Sequence, residues 1–162
     1  MIPYQGGVEP NSTLLLLSRV KQIQETKKLG KKPQQIKVPL ISIVDDDWSL
    51  VEAMVSLLQS VGYLAEGFRS AEDFLKSGQL LDTHCLILDL RMPSMGGFEL
   101  QRRLAARNCR IPIIFVTSYD SDDAKIQAFR TGAVGFLFKP FSQESLLRAV
   151  TSALANQRQA TS

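Results

Sequence analysis

The sequence predicts an α/β fold: a five-stranded, parallel, doubly wound sheet with helices on both faces. Two observations predict it. From Leu40 onward, short apolar runs alternate strictly with stretches of helical period, a pattern that builds a parallel sheet under helices. Four of those runs also end on polar residues. Residues 38–44 run into Asp45, Asp46 and Asp47, and residues 85–88 end on Asp89. Residues 111–116 end on Thr117, and residues 136–138 on Lys139 with Pro140 behind it. In a parallel sheet these ends share one edge, where open α/β sheets bind ligands.

Each element has its own local warrant. After the first strand, a helix over about 48–60 turns Leu50, Val51, Met54, Val55, Leu57 and Leu58 inward. Gly62 sits where a left-handed residue ends a helix. Residues 63–66 are short and more polar, as at a sheet edge. Ser70 caps the next helix, with Asp73 in capping-box position and Phe74 and Leu75 on its buried face. Residues 85–88 are continuously apolar, which fits burial on both faces. His84 reads as a surface residue in the loop before this strand. Trp48 reads as packing near the site rim with no chemical role.

Gly96 and Gly97 precede a third helix carrying Phe98, Leu100 and Leu104. After the fourth strand, Ser121 or Asp122 starts a helix through Ala124, Ile126, Ala128 and Phe129, ending at Thr131 and Gly132. Residues 134–138 form the fifth strand. Ser142 caps a last helix carrying Leu146, Leu147, Val150 and Leu154.

The totals narrow the class. A chain of 162 residues suits one domain with an extension and can bury a core without staples. Cys85 and Cys109 lack C-x-x-C spacing and fit a reducing, cytoplasmic setting. No apolar run approaches the roughly 18 residues of a membrane span. Charge is uneven. Residues 1–37 hold seven basic and two acidic groups, +5, and the remainder holds 12 basic and 14 acidic groups, −2. The opening segment reads as a basic extension, with an amphipathic helix over 12–28 (Leu14, Leu17, Val20, Ile23) and a linker around Gly30 and Pro33. Residues 38–158 read as the folded domain and 159–162 as a polar tail.

The carboxylates suggest phosphate chemistry. Asp45, Asp46 and Asp47 cannot all ionise in a confined site without a counter-charge. A hard divalent cation such as magnesium supplies one, with oxygen ligands; no histidine or thiolate is offered for a softer metal. A carboxylate can also attack phosphorus, giving an acyl phosphate. Asp89 could attack while a metal, the Thr117 hydroxyl and the Lys139 ammonium share the phosphoryl oxygens.

The stretches Ile43-Val44-Asp45-Asp46-Asp47, Leu88-Asp89-Leu90-Arg91-Met92-Pro93, Val116-Thr117-Ser118 and Lys139-Pro140-Phe141 resemble the receiver domain of bacterial two-component response regulators. The Asp-Leu-Arg-Met-Pro stretch and residues 132–136 most resemble the FixJ type. The resemblance implies a flavodoxin-like sheet in order 2-1-3-4-5. It implies phosphorylation of Asp89 by a histidine kinase or phosphotransfer protein. It implies a magnesium ion (Mg2+) held by Asp45, Asp46, Asp89 and the backbone carbonyl of Arg91. Thr117 and Phe136 would be switch residues, Lys139 would bind the phosphoryl group, and the Lys139-Pro140 bond would be cis. The output would pass through helix 4, strand 5 and helix 5 to a downstream protein or to a second copy.

Six residues follow Asn156, too few for a helix-turn-helix, so the expectation is a receiver without an output domain. DNA binding through the basic segment is the weaker idea. A phosphorylation-independent binding module is the main alternative. An aspartate-nucleophile phosphatase would need a second aspartate two residues after Asp89, where Arg91 stands. The expectation is therefore a signalling phosphoacceptor, not an enzyme beyond slow autodephosphorylation.

Overall fold

A computed structural model describes residues 37–159, together with Leu17 and Lys21. The chain divides after Lys37, and the fold lies in the second part. Leu17 and Lys21 are helical; the rest of the expected 12–28 helix lies outside the described residues.

Five strands and five helices alternate: β1 Leu40–Val44, α1 Trp48–Ser60, β2 Leu64–Phe68, α2 Ala71–Lys76, β3 Thr83–Asp89, α3 Gly97–Ala106, β4 Ile113–Thr117, α4 Asp122–Arg130, β5 Gly135–Phe138 and α5 Gln143–Gln159. All strand pairs are parallel, in the order β2-β1-β3-β4-β5. The chain steps outward from β1 to β2, then reverses across β1 to β3. That reversal opens a crevice at the carboxyl ends of β1 and β3.

Alternation along the strands feeds two cores. Cys85 and Ile87 of β3 face one side with Ile41, Ile43, Ile114 and Val116, under Met54 and Leu58 of α1 and Leu146 and Val150 of α5. Leu86 and Leu88 face the other with Val44, Ile113 and Phe115, under Phe74, Leu100, Leu104 and Ala128. Every residue of β4 is buried, as a central strand covered on both faces must be. The half-buried residues of β5 mark it as an edge strand.

The helix starts follow the caps. Asp47 accepts from the Leu50 N–H, Ser70 from Asp73 and Ser121 from Ala124, each satisfying an orphan donor of the first turn. Ser142 accepts from the Ser145 N–H at 3.0 Å. Gly62 (φ 95°) and Gly132 (φ 97°) close α1 and α4 in the left-handed region, which glycine alone enters without strain.

Several boundaries and placements differ from expectation. His84 is half-buried inside β3, not in a loop, and its Nδ1 accepts from the Leu40 N–H at 3.2 Å. The buried Ser42 and Thr83 hydroxyls bond each other at 2.8 Å. Side-chain pairing of this kind extends β3 beyond its apolar run. The second strand ends at Phe68, not near residue 66, because pairing with the whole of β1 carries it on. A 3-10 turn, Gln79–Leu81, enters β3.

One close approach links α3 to the strand ends. A Cβ on Gly97 would lie 2.6 Å from the Asp89 carbonyl oxygen and 2.9 Å from the Phe115 ring. Neither can yield, because both sit in the central sheet. Gly97→Ala is expected to lower stability by about 1–3 kcal/mol, read as a lower urea midpoint at unchanged slope.

Candidate functional site

The four strand ends form one row, because β1, β3, β4 and β5 are consecutive neighbours in the sheet. Val44 is level with Leu88, Asp89 with Val116, and Thr117 with Phe138. Asp45 and Lys139 each follow one residue beyond a strand, tied to neighbouring backbone. The Asp45 N–H donates to the Phe68 carbonyl at 3.2 Å, and the Lys139 N–H to the Thr117 carbonyl at 2.8 Å. The Lys139-Pro140 peptide bond is cis.

These side chains are withdrawn from water. Asp45 is 0 % exposed, Asp89 5 % and Thr117 1 %, whereas Asp46 and Asp47 are exposed. Lys139 bridges the two buried carboxylates: its Nζ donates to Asp45 Oδ2 at 2.6 Å and to Asp89 Oδ2 at 3.4 Å. Backbone donors hold the other oxygens. Asp45 Oδ1 accepts from the Asp47 N–H at 2.9 Å, and Asp89 Oδ1 from the Arg91 N–H at 3.2 Å. Thr117 Oγ1 accepts from the Tyr119 N–H at 3.1 Å, which leaves its hydroxyl proton to donate elsewhere.

The electrostatics are those of two negative charges and one positive charge in a desolvated crevice. Burial, then the charge of Asp45, pushes the Asp89 carboxyl up from 3.8 to about 6, against the pull of Lys139 and the Arg91 N–H. For Lys139, burial works to lower the pKa. The hydrogen bond and charge of Asp45, followed by those of Asp89, outweigh it, so the ammonium is held above its ordinary value. The site therefore carries an excess of negative charge that one lysine does not cancel.

A cation would meet that excess. Asp45, Asp46 and Asp89 each offer an oxygen, all within 4.8 Å of one another. An all-carboxylate set selects a hard ion, so the residues fit a divalent cation of the magnesium or calcium kind. Of the residues singled out from sequence, Asp47 is spent as the α1 cap. Phe136 is half-buried in β5, its ring in edge contact with Phe138 at 5.2 Å.

Two contacts at the rim had no signal in the sequence. The Arg91 guanidinium lies 3.5 Å from the centre of the Tyr119 ring, so the residues that donate to Asp89 and Thr117 also stack on each other. Arg69 lies over Trp48 at 4.4 Å, which gives Trp48 a partner at the β1–α1 side.

Comparison with known proteins is decisive. Residues 41–151 match the response regulator receiver domain. The chain belongs to that family. The receiver is 41% identical over 126 residues to the response regulator protein TmoT of Ectopseudomonas mendocina, covering 78% of this chain and 57% of that one. It is 33% identical over 114 residues to the transcriptional regulatory protein FixJ of Bradyrhizobium diazoefficiens, covering 70% and 56%. The structure resembles that of the response regulator StyR (TM-score 0.69, 41% identity, 76% of this chain and 64% of that one). It also resembles FixJ-N (TM-score 0.66, 31% identity, 74% and 96%). The chain thus spans about half the length of the curated relatives it matches.

Receiver domains are the phosphoacceptors of two-component systems, so a kinase or phosphotransfer protein is implied as partner. No helix among the described residues is long and apolar enough to cross a membrane.

Asp89 gives a stability test with a defined sign. With its carboxyl raised to about 6, the native chain retains a proton that the unfolded chain has lost. Between about pH 4 and 6 stability therefore falls as pH rises, and it stays reduced above that window. Asp89→Asn removes the penalty. In chelator, its melting temperature is expected above wild type at about pH 8 and to converge with it below about pH 4. Equal melting at the higher pH would show that Asp89 carries no such penalty.

Proposed function

We propose that Asp89 is the phosphoacceptor and that its phosphorylation switches a protein-interaction surface. The observation that carries the reading is a buried carboxylate at a strand end, 3.4 Å from an ammonium, with a second carboxylate beside it. Among the described residues no histidine lies in the site: His84 caps Leu40 at the far end of β3. A carboxylate without a neighbouring imidazole suits an acceptor that holds its phosphoryl group rather than an enzyme that turns it over.

The geometry supports the following reaction. A deprotonated oxygen of Asp89 attacks the phosphorus of a phosphohistidine on the partner. The P–N bond breaks, its electron pair returns to the imidazole, and an acyl phosphate forms. Lys139 already reaches Asp89 and can neutralise a phosphoryl oxygen. Thr117 has a hydroxyl proton to donate to another. Asp45, Asp46, Asp89 and the Arg91 carbonyl would hold magnesium, which neutralises charge on the phosphoryl oxygens when bound.

The added phosphoryl charge would draw Thr117 inward. Phe136, one strand over, would follow and bias α4, β5 and α5. The exposed Ile126 and Phe129 of α4 make that face suitable for a downstream protein or a second copy. Both cysteines are free, which accords with a cytoplasmic setting. In this reading residues 38–158 are the receiver, residues 1–37 a basic extension and residues 159–162 a polar tail. The paired, buried carboxylates favour it over a phosphorylation-independent module.

Two measurements test the proposal. Acetyl phosphate is expected to label the wild type only with magnesium present and to leave Asp89→Asn unlabelled; labelling that survives in that variant would sink the assignment. Magnesium is also expected to stabilise the wild type by about 1.4 kcal/mol at a tenfold excess over Kd. That increment should be lost in Asp46→Ala, as read by thermal unfolding.

A further inference from the structure

The amino-terminal edge of the sheet, away from the carboxylates, has a feature the phosphoacceptor chemistry does not use. An open hollow of about 380 Å3 lies between the ends of α3 and α5 and the segments that enter β4 and β5. Leu104, Ile111, Val134 and Ala153 give it an apolar floor, and Arg110 forms part of its wall. The Gln101 amide on its flank is already engaged, donating to the Thr131 carbonyl at 3.1 Å.

Arg110 is the charged residue of the lining, and the chain segments that enclose the hollow are rich in cations. Residues 100–119 contribute Arg102, Arg103, Arg107 and Arg110 and no carboxylate. Residues 124–138 contribute Lys125 and Arg130, again without a carboxylate, and residues 145–157 contribute Arg148 on the same terms. Arg103 and Arg148 are paired with Glu99 and Glu144. Arg107, Arg110 and Arg130 have no ion-pair partner among the described residues.

A cation in the last turn of a helix offsets the macrodipole, and that accounts for Arg103 and Arg130. It does not account for Arg110, which lies four residues beyond the end of α3, where the dipole has faded. Arg110 instead stands at the mouth of an apolar depression with Arg107 nearby in the same segment. A hollow this open leaves a small ligand largely wet, but it seats a bulky side chain presented by a larger molecule.

We propose that this hollow docks an acidic segment of a partner protein. One bulky apolar side chain sits on the Leu104–Val134 floor, and flanking carboxylates meet Arg110 and Arg107. The charge complementarity selects the occupant: an apolar anchor suits the floor, and an anionic neighbour meets the unpaired Arg110 guanidinium beside it.

The test uses the full chain, labelled with nitrogen-15, and the blocked hexapeptide Glu-Asp-Phe-Leu-Asp-Glu as probe. Saturable amide shifts are expected at Ile111, Val134 and Ala153. Binding should weaken roughly tenfold in the Arg107→Ser/Arg110→Ser double variant. It should be lost in Ala105→Trp, which fills the hollow from an exposed position, with the remaining amide pattern reporting that each variant is folded. Replacing Phe and Leu of the probe by alanine should weaken it as well. Four results overturn the proposal: no saturable shift, equal binding of a lysine-flanked probe, displacement of the probe by duplex DNA, or self-association of the protein that the double variant abolishes. None of these depends on whether Asp89 accepts a phosphoryl group.

Discussion

The arrangement on which the site depends is the bridge of Lys139 between Asp45 and Asp89. Two carboxylates at the ends of adjacent apolar strands would repel each other strongly if left alone in a dry crevice. Burying a charge without a partner costs several kcal/mol after relaxation, and loss of the Lys139 ammonium would leave two. The ammonium bonds Asp45 at 2.6 Å and reaches Asp89 at 3.4 Å, so compensation is unequal. Asp45 is the better satisfied group, and Asp89 keeps a raised pKa. A carboxylate that stays electrostatically unsatisfied is one whose environment changes most when a cation or a phosphoryl group arrives, which suits the acceptor role proposed for Asp89.

That arrangement explains features of the fold that packing alone leaves open. The strand order sets β1, β3, β4 and β5 side by side, which places the bridging lysine two strands from Asp89 and three from Asp45. Only a long, unbranched side chain spans that distance. The backbone donors of Asp47, Arg91 and Tyr119 each bond the functional side chain two residues earlier. The loops after β1, β3 and β4 thus share one local device, a turn closed onto the residue that ends the strand. Gly97 then lets α3 approach the Asp89 carbonyl closely, so the helix packs directly on the end of β3.

Much of this was legible in the residues. A continuous apolar run marked β3 as buried on both faces, and Ser70, Ser121 and Ser142 announced their helices through capping chemistry. Other elements were misread for physical reasons. His84 looked like loop because it is polar, yet its Nδ1 accepts a bond from the backbone of β1, a partner 44 residues away. The second strand read as ending near residue 66, yet its pairing with β1 carries it on to Phe68. In both cases the deciding neighbour lies far along the chain, where local pattern carries no information.

The sequence by itself determined the class of fold, the four strand-end residues and the kind of chemistry they share, because apolar period and strand-end polarity are local properties. Tertiary structure alone decided which carboxylate Lys139 holds more tightly, that Asp46 stays exposed while Asp45 is buried, and that Arg91 stacks on Tyr119. It also decided that Arg110 lines an apolar hollow at the opposite edge. Those relations join residues from separate β-α units, and their distances are set by strand order and register, which no single segment encodes.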